Sequence, residues 1–147
     1  MNMVLDFAEI LRDLILERNM NAKQFAIEVG AQNSSVSEYL HALRLPKVAR
    51  LVEIANYFNC STDYLLGLEE ERNSGNYCVC PPFHEQLNFL KKYFQCSNSY
   101  LYTDSEIPKT RYYDWLKGKR LPSLENVIRL AERLNCTVDF VIGRNKV

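Results

Sequence analysis

The stretch RLPKVARLVEIANYFNC occupies residues 44–60, and a second stretch, RLPSLENVIRLAERLNC, occupies residues 120–136. They lie 76 residues apart, and both begin with Arg-Leu-Pro and end with Asn-Cys. When the comparison is extended at this offset, residues 7–67 align with residues 83–143 without a gap, and 13 of 61 positions are identical. Such self-similarity indicates two copies of one supersecondary unit.

The apolar residues of both copies recur at helical spacing. In the quoted stretches the stripe is formed by Leu51, Ile54, Ala55 and Phe58, and by Val127, Leu130, Ala131 and Leu134. Pro46 and Pro122 mark turns before these helices, because proline disfavours the helical conformation in the residue before it. No alternating strand pattern occurs, so the sequence predicts an all-α protein.

The segment EEERNSGNYCVCPP, residues 69–82, separates the two copies. Its acidic run, its Ser-Gly and its Pro-Pro are typical of an exposed linker. We therefore predict a first domain over residues 1–68, a linker over residues 69–82, and a second, more divergent and more basic domain over residues 83–147.

The net charge of zero hides an asymmetry between the two halves of the chain. Residues 1–75 carry seven Lys/Arg and eleven Asp/Glu, a balance of −4. Residues 76–147 carry eleven Lys/Arg and seven Asp/Glu, a balance of +4. The second half therefore has the electrostatics better suited to a polyanion.

The N-terminal residues contain no basic region before an apolar stretch, and acidic side chains interrupt them, which excludes a signal peptide. No apolar run approaches the roughly 20 residues of a membrane span. Five cysteines, an odd number without a secretion signal, suggest reduced thiols. We therefore expect a soluble, cytoplasmic protein that does not contact a membrane.

Cys78, Cys80, His84 and Cys96 are the residues that could be drawn as a metal site. Their Cys-x-Cys spacing is tight, however, and the paired Cys-x-x-Cys arrangement of zinc sites is absent. His41 and His84 have no nucleophile set near them in the sequence, and no glycine-rich phosphate loop occurs. We expect no metal, no cofactor and no enzymatic activity.

The segment NAKQFAIEVGAQNSSVSEYLHALRLP, residues 21–46, contains most of the region in which the two copies differ. Asn21 can cap a short helix, and Gly30 suits the end of that helix because glycine adopts the left-handed conformation freely. An apolar stripe from Val36 onward indicates a second short helix. The small Ala26 lets the two helices cross closely, which is helix-turn-helix spacing.

The first copy resembles the phage-repressor and Cro-like (XRE-type) helix-turn-helix family in Phe25-Ala26, Gly30, Val36, Arg44, Pro46, Ala55 and the ending STDYLLG. The second copy resembles it from Trp115 onward, through WLKGKRLPSLENVIRLAERLNCTVDFVIG. The resemblance implies two tandem lambda-repressor-like bundles of about five short helices each, which bind operator DNA.

In such proteins the second helix of the motif, here called the reading helix, enters the major groove with its N-terminal residues at the base edges. By position, the base-facing residues of the first copy are Gln32, Asn33, Ser34 and Glu38, and Ser35 and Arg44 would lie beside phosphates. This reading helix carries no Lys or Arg, although phosphate neutralisation supplies most of the affinity for DNA. In addition, Ala22 stands where the family often has a phosphate-contacting Gln.

The second copy has a basic reading helix. Its outward residues are Lys109, Thr110, Arg111 and Asp114, and the cations Lys117, Lys119 and Arg120 follow. Arg and Lys recognise guanine and contact phosphates. Tyr112 and Trp115 are predicted to be core residues, and Pro108 is predicted at the first helical position.

The segment before this reading helix departs from the family pattern. Tyr102 replaces the close-packing Ala26, and Glu106 replaces the turn residue Gly30. Two explanations are open: the preceding helix is short and packed differently, or the alignment slips there.

We therefore expect a sequence-specific DNA-binding transcriptional regulator whose unlike copies read an asymmetric operator. The alternative is a protein-interaction module on a repressor-like fold, with the acidic first copy contacting a protein partner or a second chain. The expected partner is double-stranded DNA; a homodimer is possible, and no small-molecule effector is evident.

Overall fold

The computed structural model describes residues 2–145 and contains ten helices and no strand in that range. The chain divides between Gly75 and Asn76 into two compact units, each with five helices. The predicted all-α fold with two tandem five-helix bundles is therefore confirmed. Within the described range, no helix combines the length and the apolar character needed to cross a membrane.

Unit 1 contains α1 (Met3–Glu17), α2 (Ala22–Val29), α3 (Asn33–Leu40), α4 (Val48–Phe58) and α5 (Thr62–Leu65). Phe25, Ala26 and Val29 of α2 and Val36 and Tyr39 of α3 are buried, whereas Leu40, the other residue predicted to face inward, is half-buried. The Phe25 ring stacks on Phe58 of α4, with ring centroids 5.5 Å apart. This contact joins α2 to the stripe of α4 that the sequence predicted to be apolar.

Unit 2 contains α6 (Phe83–Phe94), α7 (Asn98–Tyr102), α8 (Lys109–Leu116), α9 (Leu124–Leu134) and α10 (Val138–Ile142). Tyr112 and Trp115 of α8 are 0% and 2% exposed, which confirms that they are core residues. Trp115 packs edge-on against Phe83 of α6, with ring centroids 6.1 Å apart. Tyr112 and Trp115 therefore hold α8 against the bundle and leave its other face to solvent.

The backbones of the two units follow the same course at the offset of 76 residues. Positive φ angles, which are uncommon outside glycine, occur at five matched pairs: Asn19 and Gln95, Gly30 and Glu106, Ala42 and Gly118, Asn59 and Asn135, and Gly67 and Gly143. Helices α3 and α8 also begin and end at matched positions. The repeat is therefore one of backbone conformation as well as of sequence.

This correspondence decides between the two explanations for the divergent segment before α8. Helix α7 has five residues, whereas α2 has eight, so the preceding helix is indeed short. The alignment does not slip, because Glu106 adopts a φ of 58° where Gly30 has 68°. A non-glycine residue thus holds the left-handed turn in the second copy.

One detail of the prediction is wrong. Pro108 lies at the N-cap of α8, with φ −61° and ψ 132°, and the helix begins at Lys109. The carbonyl of Pro108 accepts the first helical hydrogen bond, from the N–H of Tyr112 at 3.0 Å. Its extended ψ angle therefore places it just outside the helix.

The two ends of the segment between the copies contact different units. On the unit 1 side, the Arg72 carbonyl accepts from the N–H of Ser61 at 2.8 Å, and the Arg72 guanidinium lies 2.6 Å from Glu17. On the unit 2 side, the N–H of Cys78 donates to the Arg144 carbonyl at 2.7 Å. The Arg144 guanidinium, fully buried, lies 3.7 Å from the ring centroid of Tyr77.

Candidate nucleic-acid interface

The turn between α2 and α3 is built from local hydrogen bonds that the sequence encodes. Asn21 and Gln24 form a capping box at the start of α2, each side chain accepting from the other residue's N–H, at 2.8 and 2.9 Å. At the other end, Gly30 adopts the left-handed conformation. The N–H of Ala31 then donates to the carbonyl of Ala26 at 2.8 Å, which closes α2 and directs the chain into α3.

The first residues of α3 face solvent. Gln32 is the N-cap residue of α3, but its side chain makes no capping hydrogen bond. Gln32, Asn33 and Ser34 are all exposed. Two amides and a hydroxyl are thus presented at the N-terminus of the reading helix, where the sequence placed its base-facing residues.

Arg44, which follows α3, contacts two other predicted site residues, Ser35 in the first turn of α3 and Glu38 in the next turn. The Arg44 Nε atom lies 3.2 Å from the Glu38 carboxylate, and its Nη2 donates to the Ser35 Oγ, also at 3.2 Å. The same guanidinium lies 5.0 Å from the ring centroid of Tyr39. Arg44 is therefore held by an anion, a hydroxyl and an aromatic ring of the reading helix itself.

The corresponding surface of unit 2 is rich in cations. Lys109, Thr110 and Arg111 are exposed at the start of α8, and Lys117, Lys119 and Arg120 are exposed after it. Asp114 lies 3.7 Å from the Arg120 guanidinium. The residues predicted as the site of the second copy thus occupy one helix and the turn that follows it, as they do in the first copy.

The acid–arginine pairs of the two units are equivalent. Glu38 and Asp114 lie 76 residues apart, as do Arg44 and Arg120. The prediction placed all four residues at the interface but missed that they pair. An acid six residues before an arginine in both copies was the sequence signal that could have revealed the pairing.

Helix α7 is attached to α8 by polar and aromatic contacts that replace the close helix crossing at Ala26. The Tyr112 hydroxyl donates to the Asn98 side chain at 2.7 Å, and the Tyr112 ring lies 5.3 Å from that of Tyr102. Burial raises the pKa of the Tyr112 hydroxyl, so it stays a donor at neutral pH. Asn98 was not among the predicted site residues, and its counterpart Ala22 has no polar side chain.

The cysteines contribute no cluster of metal ligands in the structure. Among residues 2–145, no group of three or more His, Cys, Asp or Glu side chains is placed to hold a metal ion. The five cysteines of this range are free thiols. Burial raises the pKa of Cys80 and of Cys96, which favours the neutral thiol.

A family comparison agrees with this geometry. The helix-turn-helix family model matches residues 11–65 and again residues 96–141, which together make up more than half of the chain. The chain belongs to the XRE-type helix-turn-helix family. The two separate matches confirm two tandem copies, and this family consists of DNA-binding transcription regulators. No curated protein sequence and no solved structure matches the chain.

Proposed function

We propose that this helix-turn-helix regulator recognises a specific, asymmetric DNA site through two unlike reading helices. The proposal rests on a comparison of α3 and α8. The two helices begin and end at matched positions of the repeat but present different side chains. Asn33 and Ser34 of α3 correspond to Lys109 and Thr110 of α8. Two helices with different donor and acceptor groups select different bases.

The chemistry of the exposed residues suggests what each copy recognises. Gln32 and Asn33 carry amides that can bond bidentately to adenine. Lys109 and Arg111 suit guanine. We therefore propose an A·T-preferring half-site for the first copy and a G·C-preferring half-site for the second.

Phosphate contacts are proposed to come mainly from the second copy. Lys117, Lys119 and Arg120 are exposed beside α8, in the half of the chain with a charge balance of +4. Neutralising phosphates releases condensed counterions and supplies a large share of the affinity for DNA. The first copy would contribute base selection more than electrostatic affinity.

Selection of bound duplexes from random DNA tests this proposal. The expected result is an enriched motif with two unlike blocks and no two-fold symmetry. The variant Gln32→Ala/Asn33→Ala should lose sequence preference in one block and keep the other. A palindromic motif, or no enrichment at all, would contradict the proposal.

A second candidate function is protein contact by the first copy. Its surface exposes Leu16, Ile27 and Leu43, which are 63%, 73% and 71% exposed. Their counterparts in the second copy are Lys92, Thr103 and Lys119, which are all polar. The charge balance of −4 in this half also suits a protein surface better than a phosphate backbone. Absence of salt-dependent DNA affinity in the full chain would favour this function.

A further inference from the structure

Each reading helix carries a carboxylate that pairs with the arginine following it. In unit 1 the pair is Glu38 and Arg44, and in unit 2 it is Asp114 and Arg120. A carboxylate and a phosphate offer the same kind of acceptor to a guanidinium. A phosphate that approaches either arginine therefore competes with an acceptor that belongs to the protein.

The two carboxylates hold their arginines to different degrees. Arg44 has the carboxylate at 3.2 Å, the Ser35 hydroxyl at 3.2 Å and the ring centroid of Tyr39 at 5.0 Å, and its side chain is 40% exposed. Arg120 lies 3.7 Å from its carboxylate, and its side chain is 62% exposed. At the position of Ser35 the second copy has Arg111, a cation that cannot accept a hydrogen bond.

We propose that Glu38 is a restraining residue that keeps Arg44 from phosphate, whereas Asp114 restrains Arg120 only weakly. This inference rests on the proposed DNA binding and adds to it a built-in difference between the copies. A DNA phosphate binds Arg120 of the second copy readily, whereas it binds Arg44 of the first copy only by displacing Glu38. The tightness of the ion pair thus sets how many phosphates the protein neutralises.

The salt dependence of affinity reports this property directly. Each phosphate neutralised on duplex DNA adds about 0.9 to the slope of log affinity against log salt. An arginine already neutralised by Glu38 exchanges one anion for another, so it adds little to the slope. Releasing it should therefore steepen the slope by up to about 0.9, a change that a merely structural role of Glu38 would not produce.

The test is fluorescence anisotropy of the full chain with a labelled duplex at several salt concentrations. The variant Glu38→Gln should bind more tightly and with a steeper slope than the unmodified chain. Glu28→Gln, at an exposed carboxylate of α2, is the matched control for the loss of one negative charge. It should tighten binding less and leave the slope nearly unchanged.

Two further variants separate the restraint from a general charge effect. In the background of Arg44→Ala the gain from Glu38→Gln should fall to that of the Glu28→Gln control, because there is no arginine to release. Ser35→Ala should tighten binding slightly although it changes no charge. In the second copy, Asp114→Asn should steepen the slope less than Glu38→Gln does.

Three results would overturn the inference while leaving DNA binding intact. They are equal effects of Glu38→Gln and Glu28→Gln, a gain beyond that of Glu28→Gln that persists without Arg44, and weaker binding by Glu38→Gln, which would make Glu38 a positioning residue. If the unmodified chain shows no salt-dependent affinity for any duplex, the proposed function fails and the restraint fails with it. That outcome is distinct, because then no variant changes the binding.

Discussion

At the scale of single residues, Ala42 adopts the left-handed conformation, whereas the matched position in the second copy, residue 118, is a glycine. Its φ is 56°, and the matched residue Gly118 has a φ of 75°. In the left-handed region the Cβ of a non-glycine residue crowds the following carbonyl oxygen, at a cost of about 1–2 kcal/mol. The turn after α3 is thus strained in the first copy and relaxed after α8 in the second.

The variant Ala42→Gly should stabilise unit 1. The relieved crowding exceeds the extra freedom that glycine gives the unfolded chain, about 0.4–1 kcal/mol, so we expect a net gain of about 0.5–1 kcal/mol. Urea unfolding followed by circular dichroism measures this change.

Gly30→Ala is the control for the Ala42 prediction. An added Cβ at Gly30 would meet no atom within 4 Å, so only the left-handed φ of 68° opposes it. We expect a loss of similar size. A destabilising Ala42→Gly, or a neutral Gly30→Ala, would show that backbone strain does not dominate at these turns.

At the scale of helices, α4 and α9 occupy equivalent places but begin differently. Ser123 caps α9 by accepting from the N–H of Asn126 at 3.2 Å. Lys47, the matched residue, gives α4 no side-chain cap. The N-terminal N–H groups of α4 therefore lack a bond that those of α9 possess.

Removing the cap of α9 and adding one to α4 should have opposite effects on stability, so each variant serves as the control for the other. Ser123→Ala should destabilise unit 2 by about 1 kcal/mol, and Lys47→Ser should stabilise unit 1 by a similar amount. Thermal unfolding of both variants checks the signs. A loss of stability in Lys47→Ser would mean that the lysine makes a more valuable contact than the cap.

The helices were predictable to the extent that short-range patterns specify them. Apolar spacing identified α4 and α9, and the capping residue Asn21 with Gly30 identified α2. The short α7 could not be decided from the sequence, because nothing local says that Glu106 accepts a left-handed conformation. The only sequence signal for the Glu38–Arg44 pair was the repeated spacing of an acid and an arginine, because the turn that brings the two side chains together is a property of the folded chain.

At the scale of the whole molecule, the two copies differ in charge. Binding measurements can show which copy contacts phosphates and which copy recognises bases. Lys119→Ala/Arg120→Ala should weaken binding to all duplexes and flatten the salt slope by about 0.9 for each phosphate that is no longer neutralised. Gln32→Ala/Asn33→Ala should keep the slope and relax preference over one half-site, by about 1–3 kcal/mol for each base that is no longer recognised. Binding isotherms at several salt concentrations measure both quantities.

A fragment that contains unit 2 alone tests whether the first copy contacts DNA. If residues 76–147 retain the full affinity, the first copy does not contact DNA, and protein contact becomes its better assignment. If both copies contact DNA, the fragment should bind more weakly, and the Gln32/Asn33 variant should lose preference.

The same fragment also tests where the second unit begins. Residues 76–147 keep the Tyr77 ring on Arg144 and the bond from the Cys78 N–H to the Arg144 carbonyl. Residues 83–147 lack both contacts, so we expect them to be less stable by about 2–3 kcal/mol. Equal urea midpoints for the two fragments would place the boundary at residue 83 instead.

The left-handed residues at both ends of each reading helix make its recognition surface transplantable. The chain enters α3 and α8 through matched turns at Gly30 and Glu106 and leaves them through Ala42 and Gly118. The outward residues of α8, Lys109, Thr110, Arg111 and Asp114, can thus replace those of α3 without moving the buried face. Such a chain would carry two helices with the same DNA specificity, on a backbone that already accommodates either set of outward residues.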